Sequence, residues 1–310
     1  MSVAVDVPAE AVAALLAQAR ALVKQTPPVV PDPWPYPRWI AHRGAGKLAP
    51  ENTLAAFRLG ASYGYRAFEC DVKLSADGVP FLLHDADLRR TTNGRGKADL
   101  RSWAELSQLD AGSWHSRQFA GEPPMTLAAL AAFVHANAGV LNLEIKPTPG
   151  CEHDTGRVVA AAAAALWQGQ AVPPLLSSFQ PLSLLGALET APHLPRALLL
   201  DTLWPGSLDV ACALGCVAVV TNHLIMDAAL LRAARQRGLR TLCYTVNEPA
   251  DAQRLLALGI DGLITDAVDR FAPAAEAPVS PPPAAATPAA AAPRPPRRST
   301  LRRRPGSAAP

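Results

Sequence analysis

One connection, too short to cross over, limits what this chain can fold into. Between Ala67 and Asp85 the sequence reads AFECDVKLSADGVPFLLHD. Two apolar, strand-like runs, Ala67–Leu74 and Val79–Leu83, are joined by Ser75-Ala76-Asp77-Gly78. A parallel partner needs a crossover of about a dozen residues, so the two runs are antiparallel neighbours in a hairpin. Folding about Ala76-Asp77 sets Asp71 near Leu82 and Glu69 near His84. Side chains two apart share one face of a strand, so Glu69 and Asp71 project together, with His84 expected about 5 Å away. The opposite face carries Phe68, Cys70, Val72 and Leu74, and no Lys or Arg stands across from the two acids. Close, buried like charges call for a cation between them, which favours a hard divalent metal on oxygen ligands, with a histidine at its margin, over a merely exposed polar edge.

Around this hairpin, strand-like and helical sequence alternate. Ala9–Lys24 has helical apolar spacing, and Pro27–Pro37, with six prolines, reads as a rigid connector. Trp39-Ile40-Ala41 is a short strand ending in His42-Arg43-Gly44, and Pro50-Glu51-Asn52-Thr53 opens a helix through Tyr63. Ala86–Pro124 is too long for a plain loop and is expected to be a small excursion covering the site. Beyond a helix at Thr126–Asn137, the strand Leu141–Lys146 turns Glu144 and Lys146 to one face. Further strands are expected at Leu175–Phe179, Arg196–Leu200, Cys216–Thr221, Arg240–Val246 and Gly262–Thr265, separated by helical stretches. With Val79–Leu83 counted as a hairpin arm, eight βα units remain, which predicts an α/β fold of the TIM (β/α)8 barrel type with an insertion after the second strand. His42-Arg43, Glu69 and Asp71, Glu144 and Lys146, and Thr245–Asn247 all fall late in their strands, at the rim where such barrels place their chemistry.

Composition assigns the rest. A hydrophobic content of 49% in 310 residues is ample for a buried core. The net charge of +3 belongs to the end of the chain: Arg294, Arg297, Arg298, Arg302, Arg303 and Arg304 lie there, and without the segment after Phe271 the charge turns slightly negative. Three segments are therefore expected: a helix and connector at 1–37, a barrel domain at 38–271 with its insertion at about 86–124, and a disordered Ala/Pro/Arg tail at 272–310. The tail reads as a solvated extension rather than a specific nucleic-acid or lipid contact. No basic, apolar leader and no run of membrane-spanning length occurs, and five cysteines without CxxC spacing indicate a reducing compartment, so a cytoplasmic location is expected. The pattern leaves self-association open.

Glu69, Asp71 and Glu144 offer three anionic oxygens and no thiol, a set suited to Mg²⁺, Mn²⁺ or Ca²⁺. Arg43 and Lys146 add positive charge beside them, which implies an anionic substrate and suits phosphate oxygens. His42 and His84 reach the same rim, where one imidazole can take a proton from an attacking hydroxyl and the other deliver one to a leaving oxygen, as cleavage of a phosphodiester requires. His115, His135, His153, His193 and His223 lack such company.

The ordered motifs His42-Arg43-Gly44, Pro50-Glu51-Asn52-Thr53, Glu69-x-Asp71, His84-Asp85, Asn142–Lys146, Tyr244–Asn247 and Asp261–Asp266 resemble the glycerophosphodiester phosphodiesterase family. The resemblance runs from about Trp39 to Arg270. Asp110–Trp114 and Leu176–Phe179 look most like its bacterial cytosolic UgpQ branch. It implies hydrolysis of small-molecule glycerophosphodiesters, such as glycerophosphocholine and glycerophosphoethanolamine, to sn-glycerol 3-phosphate and an alcohol. It further implies one divalent cation on Glu69, Asp71 and Glu144, with Mg²⁺ preferred over Ca²⁺ or Mn²⁺, and His42 and His84 as the acid/base pair. Arg43, Lys146, Tyr244 and Asn247 would be its substrate contacts, Tyr244 standing where many members carry Trp. The alternatives are lysophospholipase D-type action on acylated substrates, using an apolar patch from Trp103, Trp114 and Phe119, and a barrel that binds glycerophosphodiesters without turnover.

Overall fold

The period-2 alternation of the short strands sorts their side chains into two cores. The computed structural model describes residues 9–271, apart from 27, 29 and 32, together with residue 273. Its strands are β1 (Trp39–Ala41), β2 (Ala67–Leu74), β3 (Pro80–Leu82), β4 (Val140–Ile145), β5 (Leu175–Ser178), β6 (Arg196–Leu200), β7 (Cys216–Asn222), β8 (Arg240–Tyr244) and β9 (Gly262–Thr265). Eight of them run parallel in the order β1-β9-β8-β7-β6-β5-β4-β2, and β1 pairs with β2 to close the ring, making a TIM barrel. One set of alternate residues, including Ile40, Ala67, Leu175, Ala197, Leu199, Val220, Leu242 and Ile264, fills the interior. The other set, including Phe68, Cys70, Val72, Leu141, Leu143 and Ile145, packs against the surrounding helices.

Those helices are α1 (Ala9–Gln25), α2 (Leu54–Ser62), α3 (Trp103–Leu106), α4 (Leu127–Ala136), α5 (Glu152–Leu166), α6 (Pro181–Thr190), α7 (Ser207–Ala213), α8 (Ala228–Gln236) and α9 (Pro249–Leu258). The side chains of Thr53, Thr126 and Asp227 cap α2, α4 and α8 by accepting backbone N–H bonds that the first turn leaves unpaired. The Pro-rich connector does more than join α1 to the barrel. Trp34 and Tyr36 are buried with the interior residues, Tyr36 donates its hydroxyl to the Pro173 carbonyl at 2.9 Å, and Arg240 lies over the Trp34 ring. They stopper the barrel at the end opposite the carboxyl ends of its strands.

The hairpin expectation needs one correction. β3 is antiparallel to β2, but Val72, not Asp71, faces Leu82, and Asp71 accepts a backbone bond from Leu83. The cause is Gly78, held at φ 77°, which makes Ala76-Asp77-Gly78 a three-residue loop closed between Ser75 and Val79. That shift of one residue would put a strand residue at 84 on the wrong face. His84 reaches the rim because β3 ends at Leu82 and the chain leaves the sheet. The following segment, through Pro124, folds over its own small core of Leu83, Leu88, Ala98 and Leu106 packed on Phe81. Glu122 accepts a bond from the Ala55 N–H, and His115 contacts the Lys47 carbonyl, fastening it beside the β1–α2 loop. Residues 272 and 274–310, the predicted tail, lie outside the described residues.

Candidate active site

β2 and β4 bring three carboxylates to one spot. Their parallel register pairs Asp71 with Glu144, while Glu69 lies two residues back on the same face as Asp71. One oxygen from each of Glu69, Asp71 and Glu144 lies within 4.8 Å of the others, and all three residues are buried. The loop after β1 frames them. Arg43 donates its backbone N–H to Glu69 Oε2 at 3.1 Å and sets its guanidinium Nε 3.0 Å from Asp71 Oδ2. Asn52 donates to the same Asp71 oxygen at 2.9 Å and accepts the Asp71 backbone N–H. Arg43 and Asn52 hold left-handed backbone, φ 50° and 61°, an uncommon conformation that the surrounding bonds impose.

These acids are poorly satisfied. Asp71 Oδ1 and Glu144 Oε1 are buried without an aligned hydrogen-bond donor. Lys146 Nζ stands 2.8 Å from that Glu144 oxygen and 3.7 Å from Asp71 Oδ1, close enough for an ion pair but not directed as a hydrogen bond. Burial, then repulsion from Asp71 and Glu144, pushes the Glu69 carboxyl well above its usual range. Burial likewise raises Glu144 to about 7 despite Lys146. Burial acts on Asp71 too, but there the Arg43 guanidinium and the Lys146 ammonium win and hold it below the usual carboxylate range. Oxygen-only donors, mutual repulsion and unpartnered lone pairs all fit a hard divalent cation.

Two imidazoles flank the acids, each held by its own carboxylate. His42 Nδ1 lies 2.6 Å from Asp266 Oδ1, with Nε2 3.7 Å from Glu69. His84 Nδ1 lies 2.6 Å from Asp85 Oδ1. A carboxylate at Nδ1 fixes the tautomer and leaves Nε2 available for other contacts. Burial lowers the pKa of His84, with Lys146 and Arg43 adding to the effect against Asp71. Asp85 is gripped by Arg90, which also bonds Glu51, and Glu51 accepts from Arg43 at 2.9 Å. Behind His42, Gly46 packs so closely that a Cβ there would lie 2.1 Å from the Asp266 Cα.

His42, Arg43, Glu69, His84, Glu144, Lys146 and Tyr244 line one cavity of about 180 Å³ in the mouth of the barrel, with Asp71 fully buried behind them. Asn247 is not among them: its amide donates to Asp266 at 3.1 Å and accepts the Asp266 N–H at 2.9 Å. Trp103, Trp114 and Phe119 also lie away from this cavity; Trp103 packs on Phe81 and Phe119 on His115. The motifs His84-Asp85 and Asp261–Asp266 contain the two acids that hold these rings. The usable signal for Asp266 was an acid just past the end of β9, the strand that pairs with β1 beside His42.

A parallel barrel that gathers two cationic side chains, three carboxylates and two imidazoles at its carboxyl rim has the layout of a TIM-barrel hydrolase of phosphoric diesters. Residues 42–270 match the Glycerophosphoryl diester phosphodiesterase family, and the chain belongs to it. It is 31% identical over 231 residues to the glycerophosphodiester phosphodiesterase of Caldanaerobacter subterraneus subsp. tengcongensis, spanning 73% of this chain and 93% of that protein. Among solved structures it resembles an Oleispira antarctica phosphodiesterase in complex with the product sn-glycerol-3-phosphate. That likeness has a TM-score of 0.71 and 32% identity over 76% of this chain and 95% of the other. A glycerophosphodiester phosphodiesterase from Agrobacterium tumefaciens superposes with a TM-score of 0.63 at 27% identity, over 76% and 99% of the two chains. The chain is thus an enzyme, a glycerophosphodiester phosphodiesterase. No helix among the described residues is long and apolar enough to cross a membrane.

Proposed function

We propose that the chain hydrolyses glycerophosphodiesters such as glycerophosphocholine and glycerophosphoethanolamine to sn-glycerol 3-phosphate and an alcohol, in a reaction that depends on one divalent cation and on His42 and His84. The observation that carries this reading is the carboxylate triad: three buried acids held together against their own repulsion, with oxygens of Asp71 and Glu144 that lack a hydrogen-bond donor. Glu69, Asp71 and Glu144 would hold the cation, with Mg²⁺ the first candidate and Mn²⁺ or Ca²⁺ the alternatives. When bound, it supplies Lewis-acid charge stabilisation to the phosphoryl oxygens.

Arg43 and Lys146 orient the phosphate beside the triad, and Arg43 does so from a backbone that Glu69 itself anchors. His84, depressed by burial, is neutral near neutral pH and is suited to take the proton of the attacking hydroxyl at Nε2. His42 then delivers a proton from its Nε2 to the oxygen of the departing alcohol; with the glycerol 2-hydroxyl as the attacking group this leaves a cyclic phosphate, which water opens to sn-glycerol 3-phosphate as the two imidazoles exchange roles. Asp85 and Asp266 keep the two rings oriented, and Asn247 acts one step further back by holding Asp266. The deciding experiment follows release of product from glycerophosphocholine with and without EDTA, then with Mg²⁺, Mn²⁺ or Ca²⁺ restored. Turnover should vanish on chelation and return with at least one of the ions; turnover indifferent to EDTA would overturn the metal reading.

A further inference from the structure

Phe179, Leu199 and Tyr244 form an aromatic and aliphatic stretch of the cavity wall, which Arg43 and Lys146 also line. Strand alternation places Asp201 above Leu199 on the same inward face of the barrel, just past the end of β6. Asn222 Nδ2 donates to Asp201 Oδ1 at 3.1 Å, and the Tyr244 hydroxyl lies 3.5 Å from the same oxygen. Among the described residues Asp201 forms no ion pair; it is exposed beside Tyr244, which lines the cavity. Phe179 and Tyr244 meet edge to face with centroids 5.8 Å apart. Lys146 already lies 5.5 Å from the Phe179 centroid, so the Tyr244 ring and the Asp201 carboxylate are the groups left to receive another cation.

A diester bound with its phosphate at Arg43 and Lys146 must extend its leaving alcohol towards this wall or along the rim. We infer that Asp201 and Tyr244 form the leaving-group subsite and favour alcohols that carry an ammonium, quaternary or primary, over neutral polyols. With the phosphate at Arg43 and Lys146, the Asp201 carboxylate would attract the ammonium of such a substrate and the Tyr244 ring would accept it by a cation–π contact. This inference rests on the phosphodiesterase reading and adds to it a specificity-determining residue.

The test compares kcat/KM for glycerophosphocholine, glycerophosphoethanolamine and glycerophosphoglycerol in the wild-type protein, Asp201→Asn and Asp201→Lys. The ratio of either ammonium ester to glycerophosphoglycerol should fall about fivefold in Asp201→Asn, the size of a partly screened charge pair, and further in Asp201→Lys. A ratio unchanged in both variants overturns the inference. A calorimetric titration with choline chloride separates this claim from the catalytic one, because it needs no turnover: choline affinity should fall in Asp201→Asn, and equal affinity in both proteins likewise overturns it. A wild-type protein that binds choline through Asp201 yet cleaves none of the three esters would sink the phosphodiesterase reading alone.

Discussion

The two halves of the barrel rim are built on different principles. Around β9, β1, β2 and β4 the three carboxylates are buried and the side chains about them are cross-braced: Asp71 touches Asn52, Arg43 and Lys146, and His42 and His84 each have a carboxylate at 2.6 Å. On β5 to β8 the rim carries Phe179, Leu199, Tyr244 and the Asp201 carboxylate, and the loops beyond expose Leu203 at 53% and Leu224 at 74%. The braced half suits chemistry, where a fraction of an ångström matters; the open half suits an alcohol whose identity can vary. Orientation is thus concentrated around the carboxylate triad.

If that division holds, the largest effects should come from the braced half. Asp71→Asn removes the acid that Arg43 and Lys146 keep ionised, and kcat should fall roughly 10³-fold or more, with loss of metal-dependent activity measured by ester hydrolysis. His42→Gln and His84→Gln should each lower turnover by about 10²- to 10⁴-fold while far-UV circular dichroism stays unchanged. Retained turnover in either would break the acid/base assignment. Asp266→Asn should act more mildly, about 10- to 100-fold in kcat with KM little altered, and should also shift the pH profile, which a purely structural defect would not do. Because burial depresses His84, the acid limb of kcat/KM should lie below the ordinary histidine range and disappear in His84→Gln.

The smallest effect is on stability and sharpens the comparison from the other side. Glu144 releases its proton near 4.5 when unfolded and at about 7 when folded without a cation. Between these values the folded protein binds more protons than the unfolded chain, so this contribution is present below about 4.5 and lost as pH rises to about 7. The Tm of EDTA-treated protein should therefore decline across that window, less so in Glu144→Gln, and Mg²⁺ should raise Tm more at pH 8 than at pH 5. No equivalent dependence is expected from substitutions on the β5 to β8 wall.

Much of this was readable in the amino-acid order because the relevant signals are local. Arg196–Leu200 and Gly262–Thr265 emerge as strands with the bounds their apolar runs predict, and Glu69, Asp71 and Glu144 converge because period-2 alternation and parallel register leave them no other place. What escaped depends on three dimensions. The left-handed Gly78 lengthens the hairpin loop and moves the register by one, and Asp-Gly in a short turn fits either count. Asn247 shares the site's rim but bonds Asp266, a partner 19 residues away whose nearness only the closed ring creates. Asp85 is adjacent to His84 in sequence, yet its grip on Nδ1 depends on a rotamer that Arg90 sets.

The stopper formed by Trp34 and Tyr36 bears on where this enzyme can be cut. The family match starts at residue 42, so a fragment trimmed to that boundary would discard β1 together with both rings. Even one begun at Arg38 would leave Ile40, Ala67 and Leu175 facing water through an open floor. A working catalytic fragment must therefore begin upstream of the segment that homology recognises, in a proline-rich stretch that looks expendable on paper.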